Sequence, residues 1–393
     1  MLAARDLHRL RGRIRKVQLV NAPNNPGAGA ASSQGCFPHL GLISLATVLR
    51  QQNPEVEIEI LDGVMLSVGA LIARLDADLV AVSALTTTYS SALSIARAAR
   101  MRGGVVVLGN DHASRFASLI LRRRPEVDAI VVGDFTEFAF ANLVAYLNSK
   151  SPSPDKVFGL VARVNGEVFE LPPVEHSLDA IPIPDRAFVN HDPYVRNFNA
   201  RFGPVHGYHA RNTTMNAMRG CIRAAHRCAF CDIPNLNRYH ASAQRTWSEL
   251  LSLREQGFDW VWEVCDDFAS FDIPGSEPRS HLDALIAARP SAQLPSLFVY
   301  CRAAAIRPRF VEKLVTLGVK KVNIGMESGD DTMLRTLGKG NPRGNDDNLQ
   351  AAVLLKDAGI QIHVSLVLGA IGESVATLER GKTTSRPPGR VQC

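Results

Sequence analysis

Three cysteines, Cys221, Cys228 and Cys231, fall within eleven residues of the run Met218-Arg219-Gly220-Cys221-Ile222-Arg223-Ala224-Ala225-His226-Arg227-Cys228-Ala229-Phe230-Cys231. Thiolates this close in sequence can face one point in space, as a soft metal ion or an iron–sulfur cluster requires. Three ligands rather than four leave one coordination position open for chemistry. His226 offers a second set, Cys221-x4-His226-x-Cys228-x2-Cys231, which suits structural zinc. A loop without metal is the third reading.

The rest of the chain must position this loop. Its 393 residues suffice for two domains, and 46% hydrophobic with 21% charged residues is a globular composition. No apolar run is long enough to span a bilayer, and the basic stretch from Arg5 to Lys16 is not followed by a signal-peptide core. A cytoplasmic protein is expected. A net charge of +6 is too mild to imply nucleic acid, and the Arg122-Arg123-Arg124 run reads as solvated surface. Seven cysteines, an odd number, argue against a disulfide framework. Cys265 and Cys301 lie in strand patterns and read as core; Cys36 reads as a spare thiol, buried or not.

Residues 15–150 alternate five strand patterns with five helical ones. Val17–Val20, Val56–Ile60, Leu79–Ser83, Val105–Leu108 and Ala129–Val132 are the strands, and Val56–Ile60 alternates as an edge strand does. This predicts a flavodoxin-like, doubly wound parallel α/β sheet of order 2-1-3-4-5, with ligands at the strand carboxyl ends. Those ends hold Ser83, Thr86, Gly109 and Gly133. Small residues there admit a large flat ligand, or simply permit tight turns.

Residues 151–211 read as a linker, with a hairpin around Asn165-Gly166 and the Pro-rich Ile181-Pro182-Ile183-Pro184. From 212 to 379 a second series of βα units follows, the cysteine loop closing its first strand. Polar residues end the later strands: Asp266-Asp267, Arg302, Glu327 and Gly369 to Glu373. The pattern predicts a full or partial barrel with its site on the top face. The tail, 380–393, has no core pattern and is expected to be disordered.

Arg219-Gly220-Cys221 followed by Cys228-Ala229-Phe230-Cys231, opening a domain of βα repeats, resembles the radical S-adenosylmethionine superfamily over residues about 212 to 375. The resemblance implies a partial (βα) radical SAM barrel. It implies a [4Fe–4S] cluster on Cys221, Cys228 and Cys231, with S-adenosylmethionine on the fourth iron. Reductive cleavage then gives a 5′-deoxyadenosyl radical or supports methyl transfer. By matching position Phe230 would lie near the adenine, and Asp266 and Asp267 near the methionine amino group. Glu327 would lie near the ribose, and Gly369, Gly372 and Glu373 would form the fifth-strand turn. Two departures stand out: six residues separate the first two cysteines where the family has three, and five βα units are read where the core has six. The core is therefore expected to be C-terminally incomplete.

Pro38-His39-Leu40-Gly41-Leu42, Gly109-Asn110-Asp111-His112 and Gly133-Asp134-Phe135-Thr136-Glu137 resemble the cobalamin-binding domain that precedes this core in one large subclass. Leu178–Arg186 resembles its linker. Ser83, Thr86, Gly109 and Gly133 would then face cobalamin. The Asp-x-His-x-x-Gly motif of axial-histidine domains is absent from the 21–36 loop, so no protein histidine is expected below the corrin, and His112 is read as a loop residue. The expected function is cobalamin-dependent methyl transfer to an unactivated centre of a small molecule or peptide, with flavodoxin or ferredoxin as electron donor. Radical cyclisation, rearrangement or methylthiolation, and a non-catalytic truncated binding protein, are the alternatives.

Overall fold

The computed structural model describes residues 13–24, 35–149, 157–164, 166–206, 209–223, 226–233, 237–273 and 279–384. The basic run before Arg13, residues 25–34 of the first loop, the Ser–Pro break at 151–156, Asn165 of the hairpin turn, Ala224 and Ala225 of the cysteine spacer, and the tail from 385 lie outside them.

The first unit is built from β1 (Lys16–Asn21), α1 (Leu40–Gln52), β2 (Glu57–Asp62), α2 (Val68–Ala73), β3 (Leu79–Ser83), α3 (Tyr89–Met101), β4 (Val105–Gly109), α4 (Asp111–Arg115), α5 (Ala117–Arg123), β5 (Ala129–Val131) and α6 (Thr136–Asn148). The order β2-β1-β3-β4-β5, all parallel, is the one the sequence predicts, with β2 at the edge. Every residue of the central β3 is buried. Each buried Leu or Val there contributes roughly 1.5–3 kcal/mol of burial.

The helical stretch between β4 and β5 breaks at Phe116 into α4 and α5. The hairpin assigned to the linker, β6 (Leu160–Val164) and β7 (Glu167–Leu171), instead extends the first sheet, β6 pairing antiparallel with β5. An open β5 edge is a row of unpaired amides that a two-stranded ribbon satisfies. The proline-rich segment is pinned to α1: Asp185 N–H donates to Thr47 Oγ1 at 2.9 Å, and Arg50 pairs with Asp185 at 2.6 Å. It leads into α7 (Asp192–His206).

The second unit takes in Ser177–Asp179 and the chain from His209. Its elements are β8 (Asn212–Met215), β9 (Met218–Arg219), β10 (Tyr239–His240), α8 (Ala243–Glu255), β11 (Trp260–Glu263), α9 (His281–Ala287), β12 (Ser296–Arg302), α10 (Pro308–Leu317), β13 (Val319–Glu327), α11 (Asp331–Thr336), α12 (Asn345–Asp357), β14 (Gln361–Leu366) and α13 (Val375–Thr384). Pro308 opens α10, and Gly318 closes it in the left-handed conformation at φ +84°.

The five long strands form one parallel sheet, β14-β13-β12-β11-β8, in sequence order as a barrel wall requires. The expected disordered tail is corrected in part. α13 runs through Arg380, whose Nε donates to Asp330 Oδ2 at 2.5 Å, a tertiary anchor that composition does not reveal. No helix among the described residues is long and apolar enough to cross a membrane.

Candidate functional site

The cysteine loop leaves the carboxyl end of β8 and is pinched at its base by the antiparallel pair β9–β10, with Arg219 opposite Tyr239. Gly220 sits at φ +93°, and a Cβ there would lie 2.1 Å from the Asn237 carbonyl oxygen. Only glycine fits, which is the physical content of the Arg-Gly-Cys run. Cys221 is buried; Cys228 and Cys231 are half-exposed, and all three are free thiols. A turn brings Cys231 N–H onto Cys228 O at 3.0 Å. Among the described residues no three His, Cys, Asp or Glu side chains converge closely enough to hold an ion. The thiols share a loop without meeting at one point.

Burial, then the Asp267 charge, pushes the Cys221 thiol up, and burial does the same for Cys231. Both are neutral thiols at pH 7, and a metal group must displace their protons to bind.

The acidic pair after β11 holds this loop in place. Asp266 Oδ2 accepts from Gly220 N–H at 2.7 Å, and burial pushes its carboxyl up. Asp267, 1% exposed, accepts from Ser270 Oγ at 2.5 Å and from Arg302 Nε at 2.7 Å on one oxygen, and from Arg302 N–H at 3.2 Å on the other. Ser270 Oγ in turn accepts from Ile222 N–H at 2.9 Å and lies 3.9 Å from Cys221 Sγ. These three hydrogen bonds tie Asp267 to Arg302 and Ser270 beside Cys221.

Glu327 ends β13 at φ +63°, a conformation that costs a side-chain-bearing residue about 1–2 kcal/mol. Its Oε1 accepts from the buried Lys339 Nζ at 2.7 Å, across Gly325, where a Cβ would fall 2.5 Å from that oxygen. Gly369 and Gly372 adopt positive φ in an exposed turn that Glu373 closes on itself, Gly369 N–H donating to Glu373 Oε2 at 2.6 Å. Phe230 is 45% exposed. Cys265 and Cys301 are buried in the strand region, as read from the sequence.

In the first unit Ser83, Thr86, Gly109 and Gly133 all lie at the carboxyl edge of β3, β4 and β5. Gly133 is explained by packing, since a Cβ would meet Pro173 Cβ at 2.5 Å. The sequence reading missed the network around Ser83. Burial keeps His39 neutral, and its Nδ1 accepts from Leu42 N–H at the start of α1, so its Nε2 carries the proton facing Ser83 Oγ at 3.2 Å. Asn110 Nδ2 donates to the same oxygen at 2.9 Å. Two donors fill the oxygen's lone pairs and leave the buried hydroxyl's own proton to be donated.

Asn110 stands at φ +77°, ψ 175°, a region that is nearly glycine-only, so strain marks the spot. His112 is held by Thr86 Oγ1 at 3.1 Å and packs on Tyr89 and Phe116. Tyr194 of α7 donates to Asp62 Oδ2 at 2.5 Å at the end of β2. These partners are distant in sequence; His39, Asn110 and His112 stood in the quoted motifs, but their pairing with Ser83 and Thr86 did not.

Residues 27–143 match the B12 binding domain family, and residues 215–380 match the Radical SAM superfamily. An uncharacterized methyltransferase of Pyrococcus horikoshii is 26% identical over 356 residues, covering 87% of this chain and 72% of the relative. The cobalamin-dependent S-adenosylmethionine radical enzyme OxsB, solved with aqua-cobalamin and S-adenosylmethionine bound, superposes with a TM-score of 0.69 at 17% identity over 95% of this chain. The chain spans only 52% of OxsB. The radical S-adenosylmethionine methyltransferase TsrM of Kitasatospora setae, solved with cobalamin and a [4Fe–4S] cluster, gives a TM-score of 0.67 at 19% identity, over 94% of this chain and 72% of TsrM. At these identities the two structures establish the fold. The chain thus carries a match to the B12 binding domain followed by a match to the Radical SAM superfamily, on a fold shared with these cobalamin-dependent radical S-adenosylmethionine enzymes.

Proposed function

We propose that the protein catalyses cobalamin-dependent methyl transfer to an unactivated carbon or phosphorus centre of a small molecule or peptide. The observation that carries this reading is a three-thiol loop at the end of the first strand of a parallel sheet, in a chain that opens with a B12 binding domain. The donor set suits a [4Fe–4S] cluster: three free thiols on one loop, tied at its base, with no fourth cysteine in it. His226, which a zinc site would need, is exposed, whereas Cys221 is buried. When bound, the cluster supplies the electron that cleaves S-adenosylmethionine, and cobalamin carries the methyl group.

The chain's own residues supply position and electrostatics. Cys221, Cys228 and Cys231 would hold the cluster as thiolates, a set of three protein ligands. Asp266 and Ser270 fix the backbone on both sides of Cys221. Asp267 holds the half-buried Arg302 guanidinium in place as a fixed positive charge at the strand ends. Glu327 keeps a second carboxylate oxygen beyond the one paired with Lys339, suited to a ribose hydroxyl. Phe230 offers an exposed ring to an adenine, and the Gly369–Glu373 turn borders the same strand ends. Ser83 supplies a donor at the cobalamin-domain edge, beside Thr86 and Gly109.

We also infer a low-potential protein donor such as flavodoxin or ferredoxin, no nucleic-acid partner, and a reducing, cytoplasmic setting; the free thiols support the last.

Iron and acid-labile sulfide analysis after anaerobic reconstitution tests the reading. About four of each per chain is expected, with both lost in Cys228→Ala and Cys231→Ala. Stoichiometric zinc without sulfide would overturn it.

A further inference from the structure

The spacer between Cys221 and Cys228 is six residues long, three more than in the family it resembles, so the two halves of the loop need an anchor that local sequence does not supply. Arg223 lies in that spacer. Its backbone N–H donates to Cys221 Sγ at 3.4 Å, and its Nη2 donates to Gly338 O at 2.8 Å. The same turn holds the other half of the loop: Ala229 N–H donates to Leu337 O at 2.9 Å. A Cβ on Gly338 would stand 3.8 Å from Cys228 Cα. One guanidinium thus links the Cys221 half to the turn that carries the Cys228 half.

The turn is shaped to receive it. Gly340, at φ +70°, has Arg223 pressed so close that a Cβ would lie 1.8 Å from Nη1 and 2.6 Å from Cζ. Between the glycines the buried Lys339 reaches Glu327 at 2.7 Å, so a buried ion pair fixes the turn from below. Arg223 Nε, also buried, has no hydrogen-bond partner among the described residues. A buried N–H without a partner is costly unless a ligand completes it. The sulfurs of a thiolate-bound cluster are acceptors of net negative charge, and donors beside them tune its potential.

We propose that Arg223 is a positioning residue that closes the widened cysteine loop against the Gly338-Lys339-Gly340 turn and turns its spare N–H toward the cluster. This rests on the cluster reading above. The guanidinium draws Cys221 and Cys228 to one side of the turn and places a positive charge beside the anionic cluster. Gly340 is glycine because that guanidinium occupies the space of its side chain.

The test uses the full chain, reconstituted anaerobically, as wild type, Arg223→Ala, Arg223→Lys, Gly340→Ala, the Arg223→Ala/Gly340→Ala double variant, and Arg335→Ala as an exposed control on α11. The readouts are iron and sulfide per chain, the rate of iron loss to excess chelator, and the midpoint potential and electron paramagnetic resonance signal of the reduced cluster. Unfolding of the cluster-free forms is followed in parallel by tryptophan fluorescence. Arg223→Ala is expected to lose iron about tenfold faster or more, with an altered signal and a lower potential. Gly340→Ala, which displaces the guanidinium, should do the same, and the double variant should be no worse than the poorer single one.

Arg223→Lys should restore part of the retention, Arg335→Ala should match wild type, and the cluster-free unfolding midpoints of the Arg223 and Arg335 variants should agree with wild type, Gly340→Ala being lowered by its positive φ. Equal iron loss and an unchanged signal in a fully loaded Arg223→Ala would overturn the clamp and leave the cluster reading intact. A wild type that takes up no iron and sulfide would overturn both.

Discussion

Asp267→Asn removes the buried charge of the Asp267–Arg302 pair while keeping the side chain's shape. Asp267 has 2% of its side chain exposed and Arg302 18%, with Nε at 2.7 Å from the carboxylate, so little solvent screens the interaction. Burial alone works against the Arg302 charge, and the Asp267 carboxylate more than offsets it, holding the guanidinium pKa above its usual value. Removing one partner of such a pair costs about 3–5 kcal/mol, because the other charge is left buried and unpaired. At about 2–4 °C per kcal/mol for a domain of this size, the melting temperature should fall by roughly 6–20 °C.

The unfolding of a two-unit chain need not be two-state, so a local probe is required. All three tryptophans, Trp247, Trp260 and Trp262, lie in the second unit, and their fluorescence reports on it alone. Arg302→Met should cost a similar amount, and the double variant less than the sum of the two. A fluorescence midpoint for Asp267→Asn within about 1 °C of wild type would refute the reasoning, as would full additivity in the double variant.

Gly220→Ala should abolish cluster uptake while the first unit folds normally, because the new Cβ cannot share space with the Asn237 carbonyl; iron analysis with far-ultraviolet circular dichroism checks this. Burial lowers the Lys321 pKa to about 8 from 10.5. Its charge therefore opposes folding by up to about 3 kcal/mol below pH 8, and the penalty fades as pH rises toward 10.5. Lys321→Met should raise the tryptophan-monitored midpoint at pH 7, with a gain that shrinks by pH 10; a gain growing with pH would contradict this. Asn110→Gly should relieve backbone strain of about 1–3 kcal/mol but remove a donor to Ser83. The apoprotein should be as stable as wild type or more so, and cobalamin titration should show weaker binding.

Much of the fold was legible because both sheets are built from short apolar runs bounded by turn residues. β3 and β4 are nearly all buried, so their patterns admit no other register. What was not legible depends on partners far along the chain. The Asn165-Gly166 signal announced a hairpin but not that it would complete the β5 edge. α13 has a polar composition and is held by Arg380 on Asp330, 50 positions away. The Asp266-Asp267 pair stood out as polar residues after a strand, but the pairing of Asp267 with Arg302, 35 residues later, was not legible. His39, Asn110 and Arg223 act through Ser83 and Gly338, contacts that no local pattern encodes.

The central claim, that the three-thiol loop serves methyl transfer, is tested most directly by the products of S-adenosylmethionine turnover. The reconstituted, cobalamin-loaded full chain is incubated anaerobically with S-adenosylmethionine, a strong reductant and candidate small-molecule and peptide acceptors, and the products are quantified by mass spectrometry. Wild type should yield 5′-deoxyadenosine together with S-adenosylhomocysteine, and Cys228→Ala neither. A fully loaded wild type that yields 5′-deoxyadenosine without S-adenosylhomocysteine would contradict methyl transfer, and one that consumes no S-adenosylmethionine would contradict the account as a whole.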